Sequence, residues 1–127
     1  MAKPIRDVEL PGSIQGLIAA RLDLLPDDEK SLLQDASVVG RVFWSGGVAS
    51  LSGSSVEEIR DAFGRLRVKE LILPNDPSSF SGEQEFTFRH VLIRDGAYES
   101  LPKSLRARKH RQVATWAEER AGDRADE

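Results

Sequence analysis

The residue types that most often carry out chemistry are scarce in this chain. Its 127 residues include no cysteine and two histidines, His90 and His110. Without cysteine the chain has no disulfide, no cysteine-ligated zinc site and no thiol nucleophile. Neither histidine belongs to a HExxH pattern or to any other paired metal-ligand spacing. The sequence therefore predicts no metal site and no independent enzymatic activity.

The pair Arg89–His90 is the strongest candidate for a binding site. It lies where a predicted strand at 84–88 gives way to a predicted helix at 89–100. An imidazole at the N-terminus of a helix can donate a hydrogen bond to a phosphate oxygen, and the helix dipole adds to the attraction. The guanidinium of Arg89 can act as a second donor or pair with a carboxylate. The alternative is that His90 only caps the helix or packs at the edge of a hairpin.

Two further sets of charged residues are candidates for contacts between domains. Arg94 and Asp95 could form interdomain ion pairs, or they could belong to a solvated helix face. The stretch 103–111 contains five cations and no acid, and it could contact an anionic lipid, nucleic acid or an acidic partner domain. Because these cations are distributed around most of a helix, a solvated helix is the simpler interpretation. They are Lys103, Arg106, Arg108, Lys109 and Arg111.

Composition and charge limit the classes of function. The net charge of -3 and the pI near 5.5 argue weakly against a generic nucleic-acid binder. The apolar runs are too short to span a bilayer, and the N-terminus lacks an apolar signal region. We therefore expect a cytoplasmic protein, of the size of one domain, without membrane contact.

The elements that position these residues are mainly helices. Apolar periodicity, capping residues and breakers predict helices at 13–25, 27–39, 45–52, 56–69, 89–100 and 103–120. Ser13 is a suitable N-cap for the first helix, and Ser55 with Glu58 forms a capping box. Short β-prone runs are predicted at 42–44, 71–73 and 84–88. Pro74 is expected to end the second run, and the last two form a hairpin around a turn-forming loop.

The apolar and aromatic residues predict what is buried. One apolar face is predicted on the first helix, formed by Ile14, Leu17, Ile18, Leu22 and Leu25. Five aromatic residues are assigned to the core: Phe43, Trp44, Phe63, Phe86 and Phe88. Tyr98 and Trp116 are expected to pack the last two helices together as a helical hairpin.

The order helix, strand, helix, helix, strand, loop, strand is that of a winged helix, a helix-turn-helix variant with a hairpin as its wing. The predicted fold class is mainly α, with a three-helix core, a β-hairpin wing at 71–88 and flanking helices. The predicted division of the chain is a linker and helix at 1–25, the winged helix at 26–90, a helical hairpin at 91–121 and a disordered tail at 122–127.

A winged helix can bind DNA through its third helix. Here the helix at 56–70 carries four acidic and four basic residues, and carboxylates near phosphates lower the affinity. The wing contains Asp76 and Glu83, with no Lys or Arg between Pro74 and Phe88. These charges disfavour DNA as a partner, although the DNA-binding domain of a transcriptional regulator remains the alternative.

Three segments taken together resemble one family. They are ARLDLLP at 20–26, VVGRVFW at 38–44 and FRHVLIRDGAYESLP at 88–102. In combination they resemble the segment that follows the ATPase core of bacterial STAND-type NTPases. The likeness is greatest to those joined to an adenylate/guanylate cyclase domain, with relatives among large LuxR-type regulators. It covers about residues 11–120, and Gly96 departs from the bulkier residue usual before Ala-Tyr in this family.

The resemblance implies that the chain is part of a larger ATPase. In that family a P-loop ATPase domain precedes the winged helix and a helical-repeat region follows it, so both would be partners within one polypeptide. The chain itself lacks the GxxxxGK[ST] pattern and a Walker B strand, so no cofactor is expected here. ATP or ADP with Mg²⁺ is expected in the parent protein.

The resemblance also implies a role for the Arg89–His90 pair. A family histidine at the position of His90 points at the ADP phosphates and helps to hold the closed state, which makes His90, with Arg89, a nucleotide-sensing candidate. The implied function is a non-catalytic regulatory module that relays the ADP/ATP state to an effector domain such as a nucleotide cyclase.

Overall fold

The computed structural model describes residues 14–79 and 82–125, which are mainly helical. The described helices are α1 (Ile14–Asp23), α2 (Asp27–Val39), α3 (Ser45–Ser52), α4 (Val56–Val68), α5 (Val91–Glu99) and α6 (Lys103–Ala125). The described strands are β1 (Val42–Trp44), β2 (Ile72–Asn75) and β3 (Glu85–Phe88), which form an antiparallel sheet in the order β1-β3-β2. The predicted mainly helical class is confirmed. None of the described helices is both long and apolar enough to cross a membrane.

Local signals place the helix ends close to the predicted positions. The capping box at α4 is present, since Ser55 Oγ accepts from the Glu58 N–H at 3.1 Å and the Ser55 N–H donates to Glu58 Oε1 at 3.0 Å. Helix α3 ends at Gly53, whose φ of 75° is left-handed and favours glycine. The predicted cap Ser13 lies outside the described residues.

Strand β3 lies between the other two strands and sets the two faces of the sheet. Phe86 pairs with Phe43 of β1, and Phe88 pairs with Ile72 of β2. Because side chains alternate along a strand, Phe86 and Phe88 face the core, whereas Glu85 lies on the opposite face. The prediction that Pro74 ends β2 is wrong, because Pro74 lies inside this edge strand, where a missing N–H is tolerated.

The core is built around Phe43 of β1, which is fully buried. Its ring centroid lies 5.5 Å from that of Phe63, 6.0 Å from that of Phe86 and 5.0 Å from that of Phe88. Aromatic pairs at such distances contribute about 0.5–1.5 kcal/mol beyond the area that they bury. The assignment of these four phenylalanines to the core is confirmed, whereas Trp44 is only half-buried and lies beside Glu85, outside this core.

Only part of the apolar face of α1 is covered by the rest of the fold. Leu22 is buried, but Ile14 is 62% exposed and Leu17 is 55% exposed, so the predicted face is only partly correct. Helix α1 packs against α5 at Gly96. A Cβ on Gly96 would lie 3.2 Å from Leu22 Cδ1, so a bulkier residue there would require the Leu22 side chain to shift by a few tenths of an ångström.

The last two helices meet at Tyr98 as predicted, since Tyr98 Oη lies 2.8 Å from His110 Nε2, but they do not pack along their lengths as a helical hairpin. Helix α5 packs mainly against α2 and α1, whereas α6 packs against α3 and α2. The expected role of Trp116 is therefore wrong, because its ring stacks on Trp44 with centroids 6.1 Å apart. Helix α6 also continues to Ala125, through part of the predicted disordered tail; residues 126 and 127 lie outside the described chain. The long helix gains its support from α3, from α2 and from Trp44 of β1.

Replacing Phe43 with Ala should lower the free energy of unfolding by about 3–5 kcal/mol, because a cavity opens among three other aromatic rings. Val68→Ala is the matched control, since Val68 is 82% exposed and its truncation should cost no more than about 0.5 kcal/mol. Urea unfolding followed by far-UV circular dichroism measures both. Equal effects of the two substitutions would contradict this description of the core.

Candidate functional site

The corner between β3 and α5 carries Arg89 and His90 on the surface. The Phe88 N–H donates to the Arg41 carbonyl at 3.0 Å, and the Arg89 N–H donates to the Leu71 carbonyl at 3.0 Å. The backbone of the corner is thus held on both sides. Both the Arg89 and the His90 side chains are exposed.

His90 caps α5 with one ring nitrogen. Its backbone is extended, with φ -144° and ψ 141°, and Nδ1 accepts from the Leu92 N–H at 3.1 Å. A ring nitrogen that accepts a hydrogen bond carries no hydrogen, so a neutral ring in this arrangement has its hydrogen on Nε2. Capping therefore leaves the Nε2–H of an exposed ring as a hydrogen-bond donor.

A cleft shares one residue with this corner, Leu71, whose carbonyl accepts from the Arg89 N–H. Its volume is about 230 Å³, and it is lined by Arg21, Leu24, Leu25, Lys69 and Leu71. Arg21 Nη2 donates to the Lys69 carbonyl at 2.9 Å and joins α1 to the end of α4. Leu24 is 85% exposed at the rim, so apolar and cationic surface are combined here.

Glu85 is a buried carboxylate that the sequence reasoning missed. It accepts hydrogen bonds from the Ser79 N–H at 2.7 Å, Trp44 Nε1 at 2.8 Å and Asn75 Nδ2 at 2.9 Å. The Ser79 N–H is the largest cause of a pKa lowered to about 2; burial opposes this shift, and Asn75 and Trp44 add to it. Glu85 thus ties the hairpin loop to both outer strands. The available signal was Trp44, since a covered indole N–H needs an acceptor.

Glu83 ties the same loop to two helices. Its Oε1 accepts from the Gly46 N–H at 2.6 Å in the first turn of α3, a position that suits a negative charge. Its Oε2 lies 3.3 Å from Arg120 Nη2 of α6. Two of the acidic residues of the wing region, Glu83 and Glu85, are therefore turned inward, and Asp76 remains exposed.

The cations of α4 that face α2 are also engaged. Arg65 Nε lies 2.7 Å from Glu29 Oε2, Arg65 Nη2 lies 2.9 Å from Asp28, and Lys69 pairs with Glu29 as well. Burial alone would raise the pKa of Glu29, but the hydrogen bonds from Lys69 and Arg65 outweigh it and lower the pKa. These pairs fix α4 on α2.

The side chain of Arg94 makes its contacts within the fold. Its Nε donates to the Ser37 carbonyl at 3.0 Å, and its guanidinium lies 4.4 Å from the centroid of the Tyr98 ring. Arg106 covers the same ring at 4.7 Å, and Nε of Arg106 donates to the Tyr98 carbonyl at the end of α5. Arg94 lies 3.5 Å from Asp95 of its own helix.

The basic stretch of α6 divides into two sets. Lys109 pairs with the buried Asp35 at 2.7 Å; burial raises the pKa of Asp35 more than Lys109 lowers it. Arg106 caps α5 as described. Lys103, Arg108 and Arg111 remain exposed.

The structure brings Arg89 and His90 together but places the other predicted residues elsewhere. Arg94 lies against α2, and the basic stretch lies on α6, which packs against α3 and α2. Across residues 14–79 and 82–125, no group of three or more His, Asp or Glu side chains has an arrangement that could hold a metal ion. The candidate site is therefore the Arg89–His90 corner with its neighbouring cleft.

Comparisons with protein-family models, with curated proteins and with solved structures found no match to this chain.

Glu85→Gln should lower stability by about 1–3 kcal/mol at neutral pH, because an amide nitrogen would face the donor of Asn75. Since the folded pKa is about 2 and the ordinary value is 4.5, the contribution of the carboxylate is complete above pH 4.5 and is lost as the pH falls toward 2. Denaturant unfolding at several pH values should therefore show the difference between the two proteins shrinking in acid.

The control is Glu99→Gln, an exposed carboxylate, which should change stability by no more than about 0.5 kcal/mol at each pH. A Glu85→Gln effect that stays constant from neutral pH to pH 2 would contradict the role assigned to the ionised carboxylate.

Proposed function

We propose that this chain is a non-catalytic regulatory module with a winged-helix fold. In this proposal it relays the ADP or ATP state of a neighbouring P-loop ATPase domain to an effector domain such as a nucleotide cyclase, in the cytoplasm. The ATPase would be of the STAND type, with ATP or ADP and Mg²⁺ bound by that domain, and a helical-repeat region would be the second neighbour. The resemblance of the three sequence segments is the basis for this family.

The observation that carries the proposal is the exposed ring of His90, whose Nε2 is not used by the helix cap. The ring lies at the N-terminus of α5, where the dipole favours an anion, and the preceding residue, Arg89, is an exposed cation. Because Nδ1 is engaged by the Leu92 N–H, the ring is oriented before any ligand arrives. This arrangement suits a phosphate group presented by another domain.

The order of the elements and of the strands supports the winged-helix fold. Helices α2, α3 and α4 precede the hairpin of β2 and β3, and β1, between α2 and α3, joins the sheet beside β3. This is the arrangement expected when a helix-turn-helix core carries a wing.

Uncovered apolar surface near the corner supports docking to a neighbouring domain. Ile14, Leu17 and Leu24 of the α1 region are all more than half exposed, and Val91 at the start of α5 is 40% exposed. Contiguous apolar surface with a polar rim is typical of interaction sites. The cleft beside the corner extends this surface.

A contact path from the corner to α6 supports the relay. Strand β3 ends at the corner, and the loop before it holds α6 through Glu83 and Arg120. The ring of Trp44, hydrogen-bonded to Glu85 of β3, stacks on Trp116 of α6. A displacement of β3 would therefore act directly on the long helix.

DNA binding by α4 and the wing is the second candidate function. One observation favours it: Glu83 and Glu85 are turned inward, so the wing presents less negative charge than the sequence indicates. The exposed charges of α4 oppose it, because three carboxylates, Glu57, Glu58 and Asp61, balance three guanidinium groups, Arg60, Arg65 and Arg67.

Two substitutions of His90 distinguish its capping role from the proposed nucleotide-sensing role. His90→Asn keeps a cap, since the Asn side-chain oxygen can accept from the Leu92 N–H, but it removes the Nε2–H. His90→Ala removes both and should also cost about 0.5–2 kcal/mol of stability. In the intact ATPase, we expect both variants to release ADP about five- to tenfold faster, the equivalent of one hydrogen bond of ~1 kcal/mol. ADP retention by the Asn variant equal to that of the unchanged protein would reject the sensing role.

A titration of this chain with generic duplex DNA discriminates between the two functions. Because the exposed charges of α4 cancel, we expect no tight binding at low salt. Tight binding would support the DNA-binding alternative instead. In that case the logarithm of the association constant should fall linearly with the logarithm of the salt concentration, with a slope of about -0.9 per neutralised phosphate.

A further inference from the structure

The long helix α6 has a covered face and an exposed face. The covered face packs against α3 and α2, and its half-buried members are Leu105, Arg106, Lys109, Val113, Trp116, Ala117 and Arg120. The opposite face of the same helix is exposed from Ser104 to Ala121. Within the described side chains, nothing covers this outer face.

The charges of the outer face are segregated along the helix. Arg108 and Arg111 lie in its first half, and Glu118 and Glu119 lie in its second half. Among the described residues, none of these four exposed side chains has an ion pair within 4.0 Å. Exposed alanines lie between and beside the charges, at positions 107, 114 and 121.

We propose that this face is an interface for a second copy of the same chain, with the two α6 helices antiparallel and a two-fold axis at the level of residue 114 along the helix. The midpoint in sequence between Arg111 and Glu118 is 114.5, and that between Arg108 and Glu119 is 113.5. Because both midpoints lie at the level of the axis, an antiparallel copy brings each arginine opposite a glutamate. A parallel copy would place like charges opposite each other. At about 100° of rotation per residue, Arg108 and Glu119 form one edge of this face, Arg111 and Glu118 form the other, and the exposed Thr115 lies between them near the axis.

The surface is isologous, because the same residues serve both copies. Its charge pattern is therefore complementary to itself, and this is the reason for choosing a second copy as the occupant. The proposal is independent of nucleotide sensing and of DNA binding, since neither Arg89 nor His90 lies on this face.

Sedimentation equilibrium of the 127-residue chain at low salt tests the proposal. The unchanged chain should approach twice its monomer mass of 14.1 kDa as its concentration rises, and salt should weaken the association. The double variant Arg108→Glu/Arg111→Glu should remain at the monomer mass, and so should Glu118→Arg/Glu119→Arg. An equimolar mixture of the two should recover the dimer, because the charges are again opposite.

The matched control is Arg60→Glu/Arg67→Glu, which makes the same change of charge on the exposed face of α4 and should leave the dimer unchanged. Far-UV circular dichroism checks that each variant is folded. A monomeric unchanged chain at every concentration, or a dimer unaffected by both α6 variants, would overturn the proposal.

A cysteine cross-link provides a second measurement that does not change charge. The chain has no cysteine, so Thr115→Cys introduces a single thiol close to the axis. Two thiols there should oxidise to a disulfide dimer, which requires Cα atoms about 5.5–6 Å apart. Ser104→Cys is the control, since its two copies would lie about 30 Å apart at 1.5 Å of rise per residue. Equal cross-linking of both variants, or none in Thr115→Cys, would contradict the antiparallel arrangement.

Discussion

The pairing of β3 with both neighbouring strands is the constraint on which the other features depend. It turns Phe86 and Phe88 into the core and turns Glu85 to the opposite face. It also fixes where the strand stops, because the backbone of Phe88 and Arg89 is bound to Arg41 and Leu71. A slip of one residue would exchange the two faces. The position of His90 at the start of α5 is a consequence of this register.

Buried carboxylates join elements that are distant in sequence. Glu29 holds α4 on α2 through Arg65 and Lys69, and Asp35 holds α6 through Lys109. Glu83 and Glu85 hold the hairpin loop on α3, β1 and α6. The number of charged residues in the sequence is therefore larger than the number of charges that the surface exposes to a partner. Removing one member of such a pair leaves a charge without its counterpart, which is costly in a covered site.

Local signals in the sequence predicted most of the elements. The capping box at Ser55, the acids after Pro26 and the glycine at 53 act within one helical turn, so they are readable from the chain alone. The partners of Trp116, the role of Arg94 and the burial of Glu85 depend on contacts across 40 or more residues, or on neighbouring strands, which no local pattern encodes. Pro74 was misjudged because its tolerance depends on β2 being an edge strand. The location of Arg89 and His90 at the end of a strand was predicted, whereas the tautomer imposed by the cap was not.

The stacked indoles of Trp44 and Trp116 give the chain a built-in optical reporter. They are its two tryptophans, and they lie at the joint between the sheet and the long helix. When the folded chain is excited at the long-wavelength edge of its absorption, where only tryptophan absorbs, its fluorescence therefore comes from this joint. Separation of α6 from β1 would change the exciton coupling in the near-ultraviolet dichroism and the emission wavelength together, without any added dye.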